Sequence, residues 1–236
     1  MNTIYFDDRT KALHHLCEKY QVTGGGRVDG CCFKSPAGTV HLLPWRFERR
    51  IIELKKIIDS NTLEDISTMR FCRMGSGNLD DQIYREIDIC EWLGKSKVKS
   101  IFAAYNGNRA VNMIIKLEND VSCSIECAVT MPAHADAVDH HEIIARRGVA
   151  FDRAVDTQIP QSSIYLYSGK TEKKYTDVDS ELFGLSAEDA ALVRAAFQAL
   201  VEPAAVPDRH EYLLMLVTCA RSSEKNKTPH LIAQEG

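Results

Sequence analysis

The stretch DDQIYREIDICEWL, residues 80–93, sets carboxylates and a guanidinium three and four residues apart. Those spacings return to one side of an α-helix, so Asp81, Arg85 and Asp88 share a face. Ile83, Ile87, Cys90 and Leu93 fall on the other side. The stretch therefore predicts a helix that buries its apolar stripe and turns its charged stripe outward, as ion pairs on a solvated face do. Arg85 carries a permanent charge. It can clamp an anionic or hydroxylated ligand, but it cannot cycle a proton near neutral pH.

On the N-terminal side, FERRIIELKKIID has apolar residues at 47, 51, 54, 57 and 58, a helical period ended by Asp59-Ser60-Asn61. ISTMRFCRM then reads as a strand, and Gly75-Ser76-Gly77 as the loop that opens the charged helix. On the C-terminal side, VKSIFAAY, AVNMIIKLE, VSCSIECAVT, HEIIARRGVAFD and SSIYLYSG are strand-like runs, with turn signals at 106–108 and 118–120. In the third run Val121, Cys123, Ile125, Cys127 and Val129 share a face, and Ser122, Ser124 and Glu126 take the other. That alternation belongs to a sheet covered on one side. Two helices close the chain: LSAEDAALVRAAFQALVE, with Ser186 as N-cap and Asp189 three residues on, and HEYLLMLVTCARSSE. The predicted class is α+β: a largely antiparallel open sheet with the helices at 47–58, 80–93, 186–201 and 210–222 packed on one face.

Residues 1–45 break into short pieces: IYF, a helical run DRTKALHHLCEKYQV, the glycine-rich TGGGRVDG and CCFKSPAGTVHLLPW. None makes a domain, so 1–45 and 46–236 are read as separate parts. Gly24, Gly25, Gly26 and Gly30 do not form a dinucleotide fingerprint, because Asp29 stands at the third glycine's place and the cluster follows a helix. A linker is the expectation there.

Composition excludes several classes. The 236 residues are 44% hydrophobic and 26% charged with a net charge of -4, which gives no electrostatic case for nucleic acid. No apolar run approaches the roughly 18 residues of a membrane span. MNTIYFDDRTK lacks a secretory start, so the expected location is cytoplasmic. The eight cysteines include no CxxC pair, and small buried thiols account for most of them. HADAVDHH gathers His134, Asp136, Asp139, His140 and His141, side chains competent for metal, in what reads as a polar loop leading into a strand; no metal is expected. His14 and His15 read as surface residues.

Over roughly residues 46–230 the sequence resembles the C-terminal domain of the glucose-fructose oxidoreductase / inositol dehydrogenase (Gfo/Idh/MocA) family. RFERRIIELKKIIDSNTLEDISTMRF is similar to its helix–strand entry, and SGNLDDQIYREIDICEWLGKSKVKSIFA to its D-x-G-x-H-x-x-D helix, W-L-G and strand. HEIIARRGVAFD resembles its later strand pair, and YLLMLVTCARSSEKNKTP its final helix. The resemblance implies a central helix that gives a histidine and an aspartate to a sugar or polyol, beside an N-terminal Rossmann domain holding NAD(P). Asp81 and Asp88 match the two carboxylates, whereas Arg85 stands for the histidine and Ile83 for the glycine. YFDDRTKALHHLCEKYQV is similar to the family's second strand and next helix. VDGCCFKSPAG weakly resembles its E-K-P segment, making Lys34 a vestige of the catalytic lysine, although Phe33 and Ser35 break the motif. About 80–100 residues of a dinucleotide-binding unit are then missing.

The functional expectation is a relative of these oxidoreductases that is not catalytic alone and needs no cofactor in this chain. It would bind a sugar or polyol at Asp81, Arg85 and Asp88. The alternative is an active NAD(P)-dependent oxidoreductase whose nucleotide domain is truncated or supplied by a partner. SIYLYS places Ile164 and Leu166 on one side and Tyr165 and Tyr167 on the other, and VNMIIKL is apolar on both sides. A homodimer or tetramer joined through the open sheet face is therefore expected.

Overall fold

A computed structural model of the chain describes residues 8–152 and 184–233, together with the backbone of 163–168 and 171–176. The chain divides into two compact units: residues up to Ile52 with Asp177–His210, and Glu53–Thr176 with Glu211–Gly236.

The first unit holds α1 (Asp8–Tyr20), the short strands β1 (Arg27–Asp29), β2 (Cys32–Ser35) and β3 (Gly38–His41), a 3-10 turn at Pro44–Phe47, and α4 (Ala187–Val201). Its strands pair in the order β1-β2-β3, each antiparallel to the next. Leu13, Cys17, Val28, Phe33, Leu42, Leu192, Ala195 and Ala196 form its core. The glycine run read as a linker has a packing reason at Gly26, where a Cβ would lie 2.4 Å from the Phe33 ring and 2.6 Å from the Lys34 carbonyl oxygen. Ser186 caps α4 as expected: its Oγ accepts the Asp189 N–H at 3.0 Å and donates to the Asp189 carboxylate at 2.7 Å. This helix, expected among those packed on the large sheet, belongs to the first unit. α4 packs on α1 and on the Pro44–Phe47 turn, where Arg194 Nη1 donates to the Phe47 carbonyl at 3.0 Å.

α2 (Arg49–Asp59) leads into the second unit. There follow β4 (Ile66–Met74), α3 (Leu79–Gly94), β5 (Val98–Asn106), β6 (Ala110–Leu117), β7 (Ser122–Ala128), β8 (Val138–Ala145), β9 (Gly148–Phe151), β10 (Ser163–Ser168), β11 (Thr171–Thr176), α5 (His210–Asn226) and β12 (His230–Leu231). The nine strands run β11-β10-β9-β8-β4-β7-β6-β5-β12. The class is α+β, as predicted. One pairing departs from the antiparallel meander: β4 is inserted between β8 and β7 and runs parallel to β7.

Alternation along the strands builds the core. Met69, Phe71, Met113, Ile115, Cys123, Ile125, Cys127 and Ile143 are buried on the face that receives α3, while Arg70, Asn112, Ile114 and Glu126 are exposed on the other. The side chains of Ile164, Tyr165, Leu166 and Tyr167 lie outside the described residues. α3 approaches closely because it ends on glycine: a Cβ at Gly94 would sit 2.2 Å from Leu117 Cδ1. The outer edge of β5 pairs with β12 at Ser100 and Ile101, and beyond that with α5, whose Ser223 Oγ accepts the Ala103 N–H and whose Glu224 carboxylate accepts the Tyr105 N–H, each at 3.2 Å.

Candidate functional site

α3 begins at Asn78, whose side chain accepts the Asp80 N–H at 2.9 Å. From there it is buried nearly all round, and this corrects the expectation of an outward charged stripe. Asp81 is exposed, but Arg85 is 5% exposed and Asp88 0%. Burying a guanidinium requires partners, and they come from the sheet as well as the helix.

In the β4–β8 register Arg73 faces Asp139 and Phe71 faces His141, so all four look toward α3. Arg73 Nη1 lies 2.6 Å from Asp139 Oδ2, and Arg85 Nη2 reaches the same oxygen at 3.1 Å. Arg85 Nη1 also donates to Glu86 Oε1. The second oxygen of Glu86 meets His141 Nε2 at 3.0 Å, and His141 Nδ1 meets Asp152 Oδ2, just past β9, at 2.7 Å. The Asp152 carboxylate also accepts the His141 backbone N–H. The Phe71 ring stands edge-on to the imidazole, centroids 4.8 Å apart. The result is a continuous chain, Arg73–Asp139–Arg85–Glu86–His141–Asp152.

Glu86 and His141 are completely buried. Burial opposes charge on each, yet the surroundings win. Arg85 and His141 draw Glu86 down to about 2, and Asp152 and Glu86 push His141 up to about 9. His141 is therefore an imidazolium at neutral pH, with both ring N–H groups donating to carboxylates. Three carboxylates then face two guanidiniums and one imidazolium, and the charges balance.

Glu86, Asp139 and His141 offer ligand atoms within 4.8 Å of one another. A metal does not fit this donor set. Both nitrogens of His141 are engaged by carboxylates, and the two guanidiniums already supply the positive charge that a cation would bring.

Of the residues singled out from the sequence, Arg85, Asp139 and His141 join this network in the contacts described. Lys34 belongs to the other unit. It is exposed on β2, with its Nζ 2.6 Å from Asp29 Oδ2. From the HADAVDHH segment, Asp139 and His141 turn toward α3, while His134 and Asp136 are exposed. Glu86, Arg73 and Asp152 were not foreseen. A signal for them existed: in VDHHEI the alternation puts Asp139 and His141 on the face of apolar Ile143, and charged groups on a buried face need buried counter-charges.

No protein-family model matches the sequence, and no curated protein matches it. Solved structures do. They include a levoglucosan dehydrogenase in complex with NADH and levoglucosan (TM-score 0.64, 12% identity, 81% of this chain against 65% of that one). An oxidoreductase domain protein from Kribbella flavida superposes with a TM-score of 0.64 at 10% identity, covering 81% of this chain and 66% of that one. An oxidoreductase from Agrobacterium radiobacter, in complex with NAD+, L-tartaric acid and magnesium, gives 0.62 at 9% identity, with 79% and 62% covered. The chain has the fold of these oxidoreductases. It spans 62–66% of their length. The resemblance read from the sequence is thus borne out at the level of fold. Among the described helices none is long and apolar enough to cross a membrane.

Proposed function

We propose that this chain is a relative of the Gfo/Idh/MocA oxidoreductases that does not itself perform proton-coupled hydride transfer, and that it acts as an assembly domain. One observation carries the reading: the residue at the family's histidine position, Arg85, is buried and bound to Glu86 and Asp139. A group that is always protonated and already engaged by two carboxylates cannot serve as acid or base to a substrate hydroxyl. Of the three residues matched to the family's substrate face, Asp81 is the one a hydroxylated ligand would meet.

The assembly reading rests on the outer sheet face. Phe102 and Ile114 are cross-strand partners there, 39% and 52% exposed, an apolar pair set among Ser122, Ser124 and Asn112. A homo-oligomer joined through this face buries both. Light scattering is expected to give a multiple of the chain mass, and Ile114→Lys to shift it to the single-chain value. A wild-type mass of one chain, unchanged on concentration, overturns the assembly. Turnover is tested by mixing the protein with NAD+ or NADP+ and a panel of sugars and polyols. Saturable reduction of the nucleotide overturns the non-catalytic reading and favours the NAD(P)-dependent alternative.

A further inference from the structure

Away from the buried network, the first unit places two adjacent thiols beside two imidazoles. Cys32 and His41 are directly opposite across β2 and β3. The Leu42 N–H donates to the Cys31 carbonyl at 2.7 Å, so the neighbouring 31–42 pair holds the hydrogen bond and the 32–41 pair is the closely spaced, non-bonded kind. This brings Cys32 Sγ to 3.8 Å from His41 Nδ1. The His210 ring stacks on His41, centroids 4.2 Å apart and planes 25° from parallel. Cys31 is exposed and Cys32 half-buried.

A shared metal is the first reading to test, and it fails on geometry. Ligand lone pairs lie in the ring planes, and two rings stacked this closely cannot both point at one ion. The arrangement suits a different chemistry. A thiol becomes a nucleophile when a neighbouring base takes its proton. Burial and the adjacent His210 lower the proton affinity of His41, with Asp208 opposing, so the imidazole is neutral near pH 7 and able to accept.

We propose that Cys32 is a site of reversible S-thiolation by a low-molecular-weight disulfide, with His41 as its base and His210 as a positioning residue. The Cys32 thiol passes its proton to His41 Nδ1, and Sγ attacks one sulfur of R–S–S–R. The Cys32–S–S–R bond forms as the original disulfide bond breaks, and the departing thiolate R–S⁻ takes the proton back from the imidazolium. The Cys32 sulfur is oxidised and the leaving sulfur reduced, so the exchange balances without further reagents. Cys31 does not remove the adduct. Consecutive Cα atoms are about 3.8 Å apart, below the usual disulfide span of about 4.4–6.8 Å, so closing a bridge between the adjacent pair is strained. The mixed disulfide therefore persists until an outside thiol removes it.

The test is reaction of the full chain with glutathione disulfide, followed by intact mass and by cysteine mapping in single variants. Cys31→Ser is expected to keep the fast-reacting thiol, and Cys32→Ser to lose it, although Cys31 is the more exposed of the two. His41→Phe retains a ring against His210 but has no base. It should slow thiolation of Cys32 at least about tenfold and remove the rate's dependence on imidazole ionisation, leaving Cys31 unchanged. A circular dichroism melt matching wild type shows that the hairpin is intact; if it does not match, His210→Ala, which spares the base, must show a smaller loss of rate than Cys32→Ser. The proposal is overturned if Cys31 or half-buried Cys72 reacts as fast as Cys32, or if a folded His41→Phe variant reacts at the wild-type rate.

Discussion

The Lys34–Asp29 pair on the β1–β2 hairpin and the Arg73–Asp139 pair between β4 and β8 both close to 2.6 Å. Their surroundings differ. The first pair is about half exposed at each side chain, whereas the Asp139 side chain is 6% exposed and shares its oxygen with a second, buried guanidinium. Water screens the hairpin pair and would solvate either partner if the other were removed. In the sheet no such substitute exists, so deleting one member strands the others as bare charge. Equal distances therefore say little about energy. What counts is where a charge would go if its partner were lost.

The largest expected effect comes from Glu86→Ala. It leaves Arg85 and the His141 imidazolium without their shared carboxylate inside the core, at a cost of about 3–5 kcal/mol by denaturant unfolding. A loss no larger than that of a surface substitution would show that water enters the network and would erase the contrast.

Next is pH. His141 rises in the fold from 6.5 to about 9, so its contribution is complete below pH 6.5 and is lost as pH rises through about 9. Glu86 falls from 4.5 to about 2, so its contribution is complete above pH 4.5 and is lost as pH falls through about 2. These two groups place the stability plateau between about pH 4.5 and 6.5, with decline on the alkaline side. Urea midpoints at intervals from pH 6 to 9 check this; a flat profile that His141→Gln leaves flat contradicts it.

Arg85→His restores the residue type of the family's helix but not its function. The imidazole cannot reach both Glu86 and Asp139, and roughly 1.5–3 kcal/mol of stability is expected to go with the lost charged hydrogen bonds. No nucleotide reduction should appear, as measured by absorbance with NAD+ and a polyol. The smallest effect is that of Lys34→Ala on the exposed hairpin. Its unfolding midpoint should match wild type, and a measurable shift would mean that the hairpin pair is less solvated than it looks.

The long elements were legible because period and caps are local properties. The α3 stretch, the alternation around Cys123 to Cys127 and the Ser186 cap all declared themselves. β1–β3 did not, because strands of three or four residues are too short for alternation to register. The charge network was hidden for another reason. Arg85 meets Asp139, and Glu86 meets His141, only because β8 lies beside β4, and strand order is a long-range fact. Reading Asp81, Arg85 and Asp88 as an exposed stripe followed correctly from helix geometry and failed on burial, which depends on what covers the helix.

The place of β4 in the sheet also orders events in time. β5, β6 and β7 are joined by tight turns and can zip together as each emerges from the ribosome. β4 is made earlier, yet its partners are β7 at 122–128 and β8 at 138–145. Until those residues exist, Ile66–Met74 has two open edges, and closing on them carries the entropy of a long loop. A nascent chain stopped near residue 120 would therefore carry an unpaired strand rich in apolar side chains, a ready template for association with another copy. Synthesis through β8 is the step that makes this chain safe to release.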